Sequence, residues 1–476
     1  MTGGGQSRTS RLLLFILVWL SCAWFGSWEF NPNNSTRIFA AISLVEDGDA
    51  TIDEFAHLTI DKASFDGHVY LDKAPGMTLM ALPAVALADA LTGERSTALA
   101  KWSGDPRLTD FMRLRVRLAA ASGPALLTAI AAVLLYDLAL GLTASAGAAL
   151  FASLGYALGT PIWGWSTTVF GHAAVAALYV IAAWAFRRAT RDGRGGLAAL
   201  GGAALGGAAL GWAVVVEYQA VLAGSAIALW AVWRAWARPD RWRLLASVSV
   251  GGVAALLPLF AYNLLAFADP FRVGYSGVVG FDGMRQGLFG LTWPRPRLLW
   301  EILFGERRGL IWVSPVLLLA PFGLSALGAD RRTRDVGAMA AAVVVIVLLV
   351  NASYVYWFGG NSTGPRHAMP MAGLLALGLA PFWAGLGGVG RWAAAALLAL
   401  SMALNLAIAS AEIAAPPEYA FPVWSAVIRD GFLAGGLRTW PSEALGWSPW
   451  SGLALYLAVA LPLLAALTLR VRRGSS

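Results

Sequence analysis

Ionisable residues are scarce in this chain, and their positions indicate where chemistry can sit. Only three of its 35 basic residues are lysines, Lys62, Lys73 and Lys101, and two of these lie between Trp28 and Gly76. The same stretch holds nine of the 27 acidic residues, Glu29, Glu46, Asp47, Asp49, Asp53, Glu54, Asp61, Asp66 and Asp72, and two of the four histidines, His57 and His68. A polar loop of that kind, set between apolar segments, is where a rigid scaffold carries binding and catalytic groups. Its most specific string is GHVYLDKAPG at 67–76. There a lysine stands between an aspartate and an Ala-Pro-Gly turn at the mouth of an apolar segment, the depth at which a lipid head-group phosphate lies. Lys73 is then placed to stabilise phosphate charge as a bond breaks. A surface pair of Lys73 with Asp72 beside a helix-starting Pro-Gly fits the same string equally well.

A second string, YWFGGNSTGPRHAMP at 356–370, surrounds Arg366 with glycines and a proline. Such a tight turn can hold a guanidinium rigidly for bidentate phosphate recognition; the plainer alternative is an interfacial arginine that snorkels. His172 in TVFGHAAVAAL, and Glu217 with Tyr218 in AVVVEYQAV, interrupt apolar runs. Ionisable groups at membrane depth are costly and by default functional, which makes these three candidate substrate-binding residues, with a satisfied core histidine the alternative for His172. Asn263 and Asp269 begin a later loop in which Asp269-Pro270 reads equally well as a turn. Motifs of soluble chemistry are missing: no Walker A pattern, no His-Glu-x-x-His, no paired CxxC and no nucleophile elbow.

The elements that must position these residues are membrane helices. The 476 residues are 58% hydrophobic and 13% charged, with a mean hydropathy of +0.64, against roughly 25% charged in an average soluble domain. This excludes a soluble enzyme and a disordered chain, and the single cysteine, Cys22, excludes a disulfide scaffold. After a basic N-terminus, the run Leu12 to Trp28 closes with Trp24, Phe25, Trp28 and Phe30. These bulky residues make an interface belt and not a cleavage site, so the run reads as a span. Further apolar segments lie near 77–93, 116–140, 143–160, 165–186, 196–214, 219–233, 244–266, 309–328, 336–355, 367–388, 392–411 and 449–469. Arginine clusters follow several of them: 187, 188, 191 and 194; 234, 238, 241 and 243; 331, 332 and 334; 391; and 470, 472 and 473. The positive-inside rule makes each cytoplasmic. Short clusters between spans are also what argues against nucleic-acid binding, despite a pI near 9.9.

With the N-terminus inside, parity requires one early segment not to cross. Asp89, Pro75 and Pro83 single out 77–93, which is expected to lie on or dip into the outer face. The expectation is therefore an all-α, polytopic single membrane domain over 1–476, with about twelve helices (11–13) crossing and both termini cytoplasmic. An acidic first outer loop at 29–115 would carry surface helices; further outer loops would lie at 267–307 and 412–448, and a cytoplasmic tail at 470–476. The run LAALGGAALGGAALG at 197–211 reads as close small-residue helix packing.

Three strings together, STRIFAAISLVEDGDATID at 35–53, HVYLDKAPG at 68–76 and WFGGNSTGPRHAMP at 357–370, resemble the polyprenyl-phosphate-sugar glycosyltransferases of the C-type fold. That broad group contains protein O-mannosyltransferases and the lipid A aminoarabinose transferase. The layout is similar over nearly the whole chain, as in a bacterial branch of the group in the inner membrane. The resemblance implies an outer-loop carboxylate that takes the proton of an acceptor hydroxyl. The hydroxyl attacks the anomeric carbon of a lipid-phosphate sugar with inversion, and cationic side chains hold the departing phosphate. Tyr70, Lys73 and Pro75 match the group's Tyr-x-x-Lys-x-Pro-like turn, which makes Lys73 the leading phosphate ligand with Tyr70 beside it. Arg37 matches an arginine after the first span, and Arg366 matches a late-loop arginine more loosely.

One departure is serious. Where relatives carry an acidic pair just before that arginine, this chain has Asn34 and Ser35, and neither can act as a base. The carboxylate must come from elsewhere, with Asp53 the first choice, Asp61 and Asp72 next, and Glu29 a distant fourth. Some relatives use a divalent cation and others do not, so the resemblance leaves a metal open. The partners it implies are a polyprenyl-phosphate sugar donor, a glycan, lipid or protein acceptor, and the lipid bilayer. Two other readings remain: a lipid-linked sugar transporter or flippase, which calls for broken helices with midplane polar residues, and an O-antigen polymerase or ligase, whose large loop usually comes late.

Overall fold

The computed structural model describes residues 3–191 and 195–473; Arg194 of the first arginine cluster and residues 474–476 of the tail lie outside the described residues. The helices, in order, are α1 (Gly3–Trp24), α2 (Pro32–Glu46), α3 (Gly76–Thr92), α4 (Pro106–Ser122), α5 (Pro124–Thr143), α6 (Ala146–Ala157), α7 (Ile162–Trp165), α8 (Gly171–Ala189), α9 (Gly196–Val216) and α10 (Ala220–Trp236). They continue as α11 (Arg241–Phe267), α12 (Pro296–Leu303), α13 (Leu310–Val313), α14 (Ala320–Ala329), α15 (Arg334–Ser353), α16 (Ala372–Leu377), α17 (Leu379–Ala384), α18 (Gly388–Ala411), α19 (Trp440–Ala444) and α20 (Pro449–Arg473). Between α2 and α3 lies an antiparallel hairpin, β1 (Ala63–Phe65) and β2 (His68–Tyr70).

Local chemistry sets the boundaries of the early helices. Asn31 caps α2 by accepting from the Asn33 N–H, and Pro32 occupies the first turn, where a missing N–H costs nothing. Asp105 and Pro106 start α4 in the same way, and the Gly123–Pro124 step divides it from α5. Gly93 ends α3 in the left-handed conformation (φ 69°) that a glycine adopts without strain.

Among the described residues, seven helices are long and apolar enough to cross a membrane: 106–143, 196–216, 241–267, 334–353, 366–384, 388–411 and 449–472. Four shorter apolar helices accompany them, at 76–92, 146–157, 220–236 and 315–329. On α11, Val250, Val253, Leu257, Leu264 and Leu265 all point outward and are exposed. An apolar face of that extent belongs against hydrocarbon.

Polar contacts gather at two ends of the bundle. At one end Arg11 pairs with Asp137 (2.6 Å), Arg187 donates to the Gly141 carbonyl (3.1 Å), and Arg234 pairs with Asp335 (2.6 Å). At the other end the loops knit together: Gly26 N to Arg438 O, Trp28 N to Glu412 Oε2, Val279 N to Lys62 O, and Ser362 N to Ala415 O. Glu29 sits between Arg113 (3.2 Å) and Arg438, and Glu443 between Arg117 and Arg438. Both ends of α3 lie at this second end. Gly76 packs on the Val215–Val216 backbone where α9 finishes, and Asp89 accepts from Arg115 Nε at 3.1 Å.

The glycine-rich repeat packs α9 against α11 with the backbones almost touching. A Cβ on Gly207 would stand 2.0 Å from the Val248 carbonyl oxygen, and one on Gly251 would stand 2.0 Å from that of Ala204. Gly207→Ala should therefore force the helices apart, at a cost of roughly 1–3 kcal/mol, and lower the melting temperature of the detergent-solubilised protein. Gly201 has nothing within 4 Å of its Cβ position, so Gly201→Ala serves as the control and should hold or raise stability. Equal melting of the two variants would refute the close contact.

Candidate active site

The hairpin explains how two distant carboxylates meet. Its turn residues, Asp66 (φ 51°) and Gly67 (φ 87°), both have positive φ, the backbone of a two-residue hairpin turn that matches strand twist. The register pairs Ala63 with Tyr70 and Phe65 with His68. Extended two residues further, it sets Asp61 opposite Asp72. Lys73 closes the gap: its Nζ lies 2.8 Å from Asp61 Oδ2 and 2.7 Å from Asp72 Oδ2.

α2 supplies the next layer through residues one turn apart on one face. Asn33 donates from Nδ2 to Asp61 Oδ2 (3.1 Å), and Arg37 donates to the Asn33 side-chain and main-chain oxygens. Arg37 is buried and pairs through Nη2 with Glu217 Oε1 at 3.1 Å, just beyond the end of α9. Glu217 fits there because the facing residue is Gly171, where a Cβ would come within 2.3 Å of Oε1. From the late loop, Arg366 lies over the Phe170 ring (5.1 Å to the centroid), and the His367 ring meets that of His172 at 5.1 Å. Gly359 (φ 76°) lets its loop close over Arg366, whose side chain a Cβ would meet at 2.9 Å.

These groups line one cavity of about 330 Å³. Tyr275, Phe281, Tyr354 and Tyr356 form its aromatic side. Three cations, Arg37, Lys73 and Arg366, face three carboxylates, Asp61, Asp72 and Glu217, but the pairing is uneven. Among the described residues no carboxylate lies within ion-pair distance of Arg366, and its Nε and His367 Nε2 are buried without a hydrogen-bond partner. A guanidinium in that condition is a ready anion site. Burial pushes the Asp61 carboxyl up, but Lys73, Arg366 and Arg37 together outweigh it and hold the group below the usual carboxylate range. Asp72 goes the other way: burial raises it, the neighbouring Asp61 adds to that, and Lys73 offsets only part. Glu217 is likewise raised by burial, against the pull of Arg37. Each carboxylate already faces a cation, and among the described residues no three metal-ligating side chains converge.

Of the residues singled out from sequence, the cavity unites Arg37, Asp61, Asp72, Lys73, His172, Glu217 and Arg366. Others lie apart. Asp53, first choice for the base, is partly exposed outside it, where its carboxylate accepts from the Val69 N–H (2.6 Å) and pairs with His68 (2.6 Å). That closes the hairpin, and Asp53 is not among the residues that line the cavity. Glu29 is held between Arg113 and Arg438. Tyr70 packs on Phe65 and Phe267, and Tyr218 stands behind Tyr275, ring centroids 5.3 Å apart. Missed from sequence were Asn33, one helical turn before Arg37, and His367, adjacent to Arg366.

No protein-family model matches this sequence, and no curated protein matches it either. Among solved structures, the chain is similar to ArnT from Cupriavidus metallidurans in the apo state, at 13% identity and a TM-score of 0.53, over 100% of this chain and 76% of that one. It is also similar to the same protein bound to undecaprenyl phosphate, at 14% identity and a TM-score of 0.50 over the same shares. Identity this low speaks for the fold alone: the arrangement of helices is similar to that of ArnT.

The hairpin lock has a testable pH dependence. The hydrogen bond and charge of Asp53 raise the pKa of the exposed His68 above the usual histidine value. The stabilisation is thus fully present below the ordinary histidine pKa and is lost as pH rises through the raised one. The hydrogen-exchange protection factor of the Val69 amide should fall over that interval in the wild type and show no such step in His68→Gln. A step of equal size in both would remove the pair from the account.

Proposed function

We propose that this protein is an integral membrane glycosyltransferase that moves a sugar from a polyprenyl-phosphate donor to a hydroxyl acceptor on the outer, periplasmic face, with inversion. The observation that carries the reading is the cavity in which Arg366, half-buried, with its Nε buried and unpaired and no carboxylate partner among the described residues, shares space with an ionised Asp61. Arg366 would hold the donor phosphate, with Arg37 and Lys73 adding positive charge. Asp61 is the carboxylate best suited to be the base. Lys73 and Asn33 both engage its Oδ2, and no described residue donates to its Oδ1, whereas Lys73 engages both oxygens of Asp72. Asp61 takes the acceptor proton, and the acceptor oxygen forms a bond to the anomeric carbon. The bond from that carbon to the phosphate oxygen breaks from the opposite side, and the electron pair leaves on the lipid phosphate beside Arg366. The aromatic side, Tyr275, Tyr354 and Tyr356, offers flat surfaces and hydroxyls to a sugar ring. The solved relative in fold was crystallised with undecaprenyl phosphate, a ligand of the proposed donor class.

The two polar ends support a membrane placement. α1, the α4–α5 pair, α6 with α7, α8, α9, α10, α11, α13 with α14, α15, α16 with α17, α18 and α20 run alternately between them, which supports twelve crossings. The arginine end would be cytoplasmic, with both termini, and α3 would lie at the outer face without crossing. The acceptor, whether glycan, lipid or protein, is the partner the cavity leaves open.

The test is release of free polyprenyl phosphate in lipid nanodiscs from a panel of polyprenyl-phosphate sugars. Asp61→Asn should lower release by about 10²–10⁴-fold, the usual contribution of a general base, while Asp53→Asn stays near wild type. Arg366→Ala should raise the donor KM. Full activity in Asp61→Asn would move the base elsewhere, and loss in Asp53→Asn with a folded protein would restore that residue to the site.

A further inference from the structure

At the arginine end of the bundle, far from the cavity, α10, α14 and α15 leave a groove of about 1110 Å³ open to the side. Small residues make it: Gly328 on α14 and Ala338 and Ala341 on α15 form its floor between the bulkier Leu229, Trp233 and Val345. Along α15 its lining runs from Arg334 to Ile346. At 1.5 Å per residue that is about 18 Å, close to the ~15 Å of hydrocarbon in one leaflet. The groove therefore has the depth of a lipid acyl chain.

Its mouth carries both signs: Arg334 and Asp335 line it, and the turn just before α15 adds Arg331 and Arg332 with the exposed Asp330, which accepts from the Arg332 N–H (2.9 Å). Asp335 is already committed, accepting from Arg234 Nη1 (2.6 Å) and Trp230 Nε1 (3.0 Å). Arg331, Arg332 and Arg334 are exposed, and among the described residues none has a carboxylate partner. Trp233, half out of the groove, stands at the same level as Arg234 on α10. An apolar recess one leaflet deep below unpaired guanidiniums matches a lipid with two acyl chains and an anionic head group.

We propose that this groove is a binding site for an anionic phospholipid of the leaflet opposite the cavity, with the chains along Ala338, Ala341 and Val345 and the head-group phosphate at Arg331, Arg332 and Arg334. It rests on the chain being membrane-embedded and not on the transferase reading. The occupied groove braces α15, whose far end carries Tyr354 into the cavity.

The full chain in neutral detergent is titrated by native mass spectrometry with phosphatidylglycerol and with phosphatidylcholine of the same acyl chains. The wild type should bind one phosphatidylglycerol at least tenfold more tightly than phosphatidylcholine. Ala338→Trp, which fills the groove, should lose that bound lipid. The triple variant Arg331→Ala, Arg332→Ala, Arg334→Ala, altered only at exposed positions, should bind the two lipids alike and decides the matter if Ala338→Trp does not fold. Equal affinity for the two lipids in the wild type overturns the proposal, as does a preference that survives the triple variant. Displacement of phosphatidylglycerol by polyprenyl phosphate also overturns it, because the groove would then belong to the donor lipid. Transferase activity plays no part in these readouts, so they stand or fall apart from the cavity.

Discussion

Lys73 between Asp61 and Asp72 is the interaction on which the cavity depends. Two carboxylates brought face to face by a hairpin cannot both be ionised in a buried place without a cation between them. The lysine makes the register tolerable, and the register in turn aims the lysine inward. From that point the charge pattern propagates. Asn33 fastens Asp61 to α2, Arg37 fastens Asn33, and Glu217 answers Arg37 from the end of α9. Only at Arg366 does the alternation stop without a partner. A buried guanidinium Nε gains nothing from being left unpaired, and that break in the pattern is what the proposed anionic donor would fill.

The loops that hold this chain of contacts are joined by a second ionic lattice outside the cavity. Glu29 from the first loop, Arg113 and Arg117 from α4, and Arg438 with Glu443 from the last loop interlock, while Glu412 accepts from the Trp28 N–H. Removing one member of a buried pair leaves an uncompensated charge, typically worth 3–5 kcal/mol, so these loops can hardly move independently. Among the described residues the far end of the bundle has fewer such ionic ties. There the chain relies on close helix contact, as where Gly207 and Gly251 bring α9 and α11 together, and small residues elsewhere leave a groove.

Much of the cavity was legible in the sequence because ionisable groups stand out against an apolar background. Lys73, Arg366, His172 and Glu217 were each conspicuous for that reason, and Arg37 through the family resemblance. The choice among acidic residues was harder, since nine carboxylates in one loop look alike until the chain is folded. A usable signal was nevertheless present. Asp66-Gly67 between ASF and HVY is a hairpin turn, and continuing that register sets Asp61 across from Asp72. It also puts Asp53 beyond the hairpin, where its carboxylate meets the Val69 N–H. Tyr70 was drawn in by the Tyr-x-x-Lys-x-Pro-like turn of the resemblance, and Tyr218 by its place beside Glu217. Strand and helix-end geometry turns both away, into Phe267 and behind Tyr275. His367 escaped notice because Arg366 beside it explained the string.

The departure at Asn34 and Ser35 has a structural answer. Asn34 is fully buried and spends its amide on the frame: Nδ2 donates to Ser27 Oγ and the Trp28 carbonyl, and Oδ1 accepts from the Val169 N–H. A carboxylate there would have to give up both donated bonds. Asn33, one position earlier, faces the cavity instead, and its amide can do what an acid could not: donate to a carboxylate on one side while accepting from Arg37 on the other. In the proposed mechanism the acid is Asp61, brought back across 28 residues to the tip of Asn33. Loss of the acidic pair in the sequence thus carries no implication that the cavity lacks a base.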